Sequence, residues 1–286
     1  MTIYNNLMQQ IDDAGLLFNV AEDKVTTASG LIVPNKKALI NTANNEVMGV
    51  VSEAYRTVAN EEIFSVFCAA IEDSGINAHD AQVNIKRTAN GSRAIVDFTF
   101  PNESIQVRGD DSATVLQICA LNSFDGSLRY MTKAGGLRMK CLNGQVLGDI
   151  VASYSSTHCK KLAVEAGADK IIRMVEEFNN ARDYWGKMMQ TPVTDAQVGT
   201  ILLQFLDIPR DSEFLQNKRY NQVFDLWRAY RNELGRNAYA FYNTLTDYVS
   251  HQQPRSSATE VRAAVKGRNL IGKCLSQNAE AFGVAA

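Results

Sequence analysis

Apolar and polar residues alternate with a period of two through much of the first half of the chain, and after about residue 156 the period becomes three and a half. In QVNIKRTANGSRAIVDFTFP, Asn90-Gly91 supplies the positive φ that a tight hairpin turn demands. Centred on that turn, Val83 opposes Phe98 and Ile85 opposes Val96 on an apolar face, while Asn84, Lys86, Thr88, Arg93 and Asp97 populate the other. Residues 46–58 have the β-branched content of a strand, and 103–109 are expected to add another. The stretch 114–144 contains Asp125-Gly126 and Gly135-Gly136, each flanked by alternating apolar residues. Two-residue turns at both predict three antiparallel strands, with Ala120 opposite Met131 and Lys133 opposite Arg138. One face then holds Leu121, Tyr130, Thr132, Met139 and Cys141, and the other holds Arg129, Lys133, Arg138 and Lys140.

Helices are expected where the longer period appears. Asn60 is placed as the N-cap of a helix over 61–74 that buries Ile63, Phe64, Phe67 and Ile71 and stops at Gly75. Ile171, Met174, Phe178, Trp185 and Met188 trace a second stripe. Thr194 with Gln197 forms a capping box, and that helix must end before Pro209. Further helices fit 218–234, closed by Gly235, then 236–250, and a last one from a Ser257/Glu260 cap to about 281. The fold class is therefore α+β: an antiparallel, hairpin-rich sheet in the first half and a helical second half. The organisation expected is an N-terminal arm over 1–35 that packs loosely, a β-rich α+β core over 36–160 and a helical extension over 161–286 packed on the core.

Composition narrows the class. The net charge of −2 conceals segments of opposite sign: 4 basic against 11 acidic residues over 1–80, 6 against 1 over 126–161, and 5 against 2 over 251–286. A polyanion meets the local field and not the sum. Five cysteines, odd in number and widely spaced, point to a reduced, cytoplasmic setting, the host cytoplasm if the chain is phage-encoded. No apolar run approaches the ~20 residues of a membrane span, so no membrane partner is expected.

The sequence contains no G-x-x-x-x-G-K-[ST], H-E-x-x-H, G-x-S-x-G or C-x-x-C, so no catalytic residue, metal ligand or cofactor is assigned. Asp97, Asp110, Asp111 and Asp125 are the carboxylates from which a metal-dependent nuclease site would have to be built, but three of them sit in or beside turns. The cysteines are expected to be structural, behaving as small buried hydrophobes. Cations are the stronger signal. Arg129, Lys133, Arg138 and Lys140 share one predicted face, Lys86 and Arg93 come from the earlier hairpin, and Lys160 and Lys161 extend the set. A stripe of this kind suffices to neutralise phosphates without base-specific geometry. Lys133 opposite Arg138 would be a like-charge pair, which costs stability unless an anion relieves it.

The segments Asn122-Ser123-Phe124-Asp125-Gly126-Ser127 and Leu137-Arg138-Met139-Lys140-Cys141-Leu142-Asn143-Gly144 resemble the phage/plasmid-like family of unknown function found in tailed phages, prophages and conjugative plasmids. Val51-Ser52-Glu53-Ala54-Tyr55-Arg56-Thr57-Val58-Ala59-Asn60 is similar to its entry strand, and Asn243-Thr244-Leu245-Thr246-Asp247-Tyr248-Val249-Ser250-His251 to its C-terminal helical signature, extending the likeness over roughly 45–252. Phe124 stands where that family commonly has histidine, and Cys159 follows His158 where threonine is common. In architecture the pattern also resembles the RecT, Erf and Redβ type of single-strand annealing protein, a likeness of fold alone.

The function expected is that of a non-enzymatic, oligomeric single-stranded DNA-binding or annealing protein of phage or plasmid DNA metabolism. The alternative is an accessory protein that binds a host protein, with the acidic first 80 residues steering the partner. A metal-dependent nuclease is the minority alternative.

Overall fold

A computed structural model describes residues 2–140, 143–146, 153–210, 213–251 and 256–284. The chain runs α1 (Ile3–Asp13), β1 (Val20–Thr26), β2 (Ile32–Asn41), β3 (Glu46–Ser52), α2 (Asn60–Asp73), β4 (Gln82–Arg87), β5 (Arg93–Gln106), β6 (Ala113–Ser123), β7 (Tyr130–Arg138), β8 (Asn143–Val146), β9 (Ser153–Ser156), α3 (Glu165–Ala168), α4 (Ile171–Gln190), α5 (Asp195–Leu206), α6 (Lys218–Leu234), α7 (Ala238–Ser250) and α8 (Ser257–Gln277). Two antiparallel sheets lie in the first half, β1-β2-β3 and β4-β5-β6-β7 with β8 and β9 both pairing β7, and the second half is helical. The α+β class is as the periodicity predicts. No helix among the described residues is long and apolar enough to cross a membrane.

The Asn90-Gly91 hairpin has the expected register, with Val83 opposite Phe98 and Ile85 opposite Val96, and Gly91 adopts φ +77°. The Thr194/Gln197 capping box forms, and Gly235 with φ +90° closes α6. Three expectations fail. The first concerns residues 1–35: instead of packing loosely they fold into α1, β1 and the start of β2, and Leu7, Ile11 and Leu16 are fully buried in the main core. The second is the cap of α2, which falls at Ala59. Asn60 instead buries its amide, donating to the Leu16 carbonyl at 3.1 Å and accepting from Asn122 at 2.9 Å.

The third failure decides where the charges go. Gly135-Gly136 is no turn, because β7 runs through it. The Asp125-Gly126 connection is longer than two residues, so Ala120 faces Thr132 and Leu121 faces Met131. That slip of one residue carries Leu121, expected beside Tyr130, to the opposite face. Because β7 runs on without a turn, Tyr130, Thr132, Ala134, Gly136 and Arg138 share the buried side, and Lys133 lies on the other. Met139, expected in the core, is exposed, and Cys141 lies outside the described residues. Residues 103–106 continue β5 beyond an irregularity between Phe100 and Ser104, next to Pro101.

The glycine at 136 is explained by packing. A Cβ there would stand 2.5 Å from Thr114 Cγ2 and 2.8 Å from the Trp185 ring, so a bare backbone is what lets Trp185 of α4 seat against β7. Gly136→Ala should cost about 1–3 kcal/mol in urea denaturation. Gly186→Ala, on α4 with nothing within 4 Å of the added atom, should gain up to about 1 kcal/mol by helix propensity. Equal effects at both positions would refute this explanation.

The main core fills the side of the large sheet that carries Val96, Phe98, Leu116, Ile118 and Tyr130, against α2 and α4–α7. Helix α8 packs on the opposite side, with Val261, Ala264 and Val265 over Ile95, Cys119, Leu121 and Met131. Burial on both sides accounts for the near-continuous apolar run of β6.

Candidate nucleic-acid interface

The predicted cations fall into three groups. Lys86, Arg93 and Lys133 come from strand positions on the side of the sheet that α8 covers, as the pairing of Lys86 with Ile95 and of Lys133 with Cys119 requires. Arg129, in the connection before β7, and Lys160 and Lys161, after β9, are exposed. Arg138 and Lys140 belong elsewhere.

Arg138 is the clearest correction. It lies on the core side of β7 and is fully buried, donating from Nε and Nη2 to Asp110 at 2.7 and 2.6 Å and from Nη2 to Glu233 at 2.8 Å. Asp110 also accepts from the Tyr239 hydroxyl at 3.1 Å. Lys140 bridges Asp111 and Glu233 at 3.2 and 3.0 Å. Burial works to raise the pKa of Glu233, but hydrogen bonds from Arg138 and Lys140 outweigh it and hold the carboxyl below its ordinary value. The oxygens of Asp110, Asp111 and Glu233 lie within 4.8 Å of one another, yet Arg138 and Lys140 are bonded among them, which makes the group an ion-pair network of three carboxylates and two cations.

The remaining carboxylates of the supposed metal set are also engaged with arginine. Arg93 Nε donates to Asp125 at 2.6 Å, and Asp125 Oδ1 accepts from the Ser127 amide at 2.9 Å. Against the opposing effect of burial, these bonds lower the Asp125 pKa. Arg268 of α8 donates to Asp97 at 2.7 Å. Asp97, Asp110 and Asp125 are thus in separate arginine pairs.

Arg268 reorganises the face that α8 covers. Asp97, Cys119, Lys133 and Ser153 form one rung across β5, β6, β7 and β9. Burial opposes the charge on Arg268, but Asp97 overrides it and raises the guanidinium pKa. Burial pushes the Cys119 thiol up to about 12, so it stays neutral and contributes no counter-charge. Lys133 is half-buried, and its pKa is lowered first by that burial and then by Arg268. The expected Lys133–Arg138 pair does not form, because the two lie on opposite faces of β7; the cation near Lys133 is Arg268 of α8. Among the described residues the Lys133 side chain has no hydrogen bond or ion pair, leaving two cations against one carboxylate.

The segments carrying the family likeness converge. The Tyr55 hydroxyl donates to the Ser123 carbonyl at 2.6 Å, and its ring stacks on His158 with centroids 4.8 Å apart. The Arg56 amide donates to the His158 carbonyl at 3.2 Å, and its guanidinium reaches the Leu162 carbonyl and Glu62. His158 is buried and its Nε2 has no hydrogen-bond partner among the described residues, while burial lowers its pKa. Cys68, Cys119 and Cys274 are buried and Cys159 is half-exposed.

Arg268 and Glu233 were absent from the expected set. The basic excess of residues 251–286 signalled the first; nothing local signalled the second, since Glu233 joins Arg138 only through the packing of α6 on the sheet.

The fold and site together define an α+β protein whose antiparallel sheet carries a half-buried cationic seam beneath its last helix. The chain belongs to the DUF932 family, a domain of unknown function, which it matches over residues 47–270. No curated protein and no solved structure matches it.

Proposed function

We propose that this protein is a non-enzymatic single-stranded DNA-binding or annealing protein of phage or plasmid origin, and that it receives the phosphate backbone along the seam formed by Lys133 and Arg268. The observation that supports this is a cation uncompensated among the described residues: Lys133 stands near Arg268, with Asp97 the one carboxylate described beside them and the neutral Cys119 thiol on the same rung. A phosphate would supply the missing negative charge, and the exposed Arg129, Lys160 and Lys161 would extend the track. Arg138 and Lys140 take no part in this site, and Arg93 contributes only what its pair with Asp125 leaves over.

Fluorescence anisotropy with single- and double-stranded oligonucleotides at two salt concentrations tests it. Affinity should fall with salt, and Lys133→Ala should reduce the log–log slope by about 0.7, one phosphate contact on a single strand. An unchanged slope and affinity in that variant would sink the assignment.

A second reading, binding of a host protein, is favoured by a separate feature. The β1–β3 sheet exposes Leu31, Ile32, Val47 and Val50, in the part of the chain where acids outnumber bases 11 to 4. The same apolar surface suits the homo-oligomer expected of an annealing protein.

A further inference from the structure

Helix α8 carries a second set of cations on a different side from the sheet. Val261, Ala264, Val265 and Arg268 recur at helical spacing toward the sheet, whereas Arg262 and Lys266, one residue further along the same four-residue step, are exposed. With Arg219 of α6 they line a cavity of about 410 Å³ between α6, α7 and α8, whose walls also include Tyr248, Leu206 and Leu270. Gly267 sets the spacing of these walls. A Cβ there would fall 2.1 Å from Val249 Cγ1, so the missing side chain brings α7, and with it Tyr248, close to Arg262 and Lys266.

The lining contains three cations and no carboxylate. Among the described residues Arg262 and Lys266 have no ion pair, and the Arg219 guanidinium donates to the Leu206 carbonyl at 3.4 Å. The nearest acid on α7, Asp247, accepts from the Tyr230 hydroxyl at 2.7 Å and faces His251. The Tyr248 ring is held by a T-shaped contact with Phe205, centroids 6.3 Å apart. Anionic, aromatic and apolar recognition thus converge in a volume within the range of about 300–1,000 Å³ typical of small-molecule sites.

We propose that this cavity binds a nucleoside phosphate, with the phosphate held by Arg262, Lys266 and Arg219 and the base against Tyr248. The site goes beyond the sheet seam, since it uses another side of α8 and needs nothing from Lys133. Its ligand is either a free nucleotide or one nucleotide of a strand, and the two sources are separable.

Equilibrium dialysis of the full chain with labelled AMP, and anisotropy with a labelled oligothymidylate, make the test. AMP should bind, and Arg262→Ala with Lys266→Ala should weaken it at least about tenfold. Tyr248→Ala should also weaken it, Tyr248→Phe should restore it, and Lys133→Ala should leave it unchanged. If the Arg262/Lys266 variant weakens oligonucleotide binding as well, the source is a strand; if only AMP is affected, it is a free nucleotide. Failure of AMP to bind, together with oligonucleotide affinity indifferent to the Arg262/Lys266 variant, overturns the proposal. Inorganic phosphate displacing AMP at equal concentration overturns the role given to the base. Because the seam is tested separately through Lys133, loss of either site leaves the other standing.

Discussion

Arg138→Ala is expected to lose about 3–5 kcal/mol of stability in urea denaturation, because it strands a buried carboxylate. Both side chains of the Arg138–Asp110 pair are wholly inaccessible, so water cannot replace the guanidinium. Asp110 would retain the Tyr239 hydroxyl and the Ser112 amide, at 3.1 and 2.9 Å, neither of which carries a charge. The effect of pH has a definite sign. Glu233 has a depressed pKa in the folded protein, so the stability it contributes is present above its unfolded value and is lost as pH falls through the folded one. Without Arg138 that depression shrinks, and the variant should show a shallower decline on the acid side as well as lower stability at neutral pH. Arg138→Ala with near-parental stability and weakened DNA binding would return this residue to the exposed basic face on which the turn pattern placed it.

Val96→Asp should abolish the cooperative fold, a loss above about 4 kcal/mol. Val96 has no exposed surface and lies between Ile85 on β4 and Ala120 on β6, facing the main core. An aspartate there buries a charge with no partner while also removing apolar volume. Lys86→Glu is the control one register position away, on the other side of β4, where a surface-type change of about 0.5 kcal/mol or less is expected. Near-ultraviolet circular dichroism and urea melts distinguish the two. A Val96→Asp variant with the parental midpoint would mean the faces of β5 are exchanged.

What could be read from the chain followed from local chemistry. Asn90-Gly91 set a hairpin register because its neighbours alternated in agreement with the turn, so two independent signals converged on one pairing. Thr194 with Gln197 and Gly235 marked helix ends because a cap is satisfied within one turn of the backbone. Gly135-Gly136 misled because a glycine that turns the chain and a glycine that makes room for a distant ring are the same letter. The Trp185 that distinguishes them is about fifty positions away.

The candidate site shows the same division. The sequence by itself determined that an α+β fold would form and that cations would concentrate in residues 126–161 and 251–286. Only the tertiary structure decided which charges meet. The unbroken run of β7 through Gly135-Gly136 kept Arg138 on the face of Tyr130 and sent it into the core to meet Asp110 and Glu233. The docking of α8 then placed Arg268 on Asp97 and left Lys133 without a counter-ion among the described residues. Period and turn chemistry act over a few residues and can be read along the chain. Which helix covers a sheet face depends on the burial of surfaces far apart in sequence, and no local pattern encodes that.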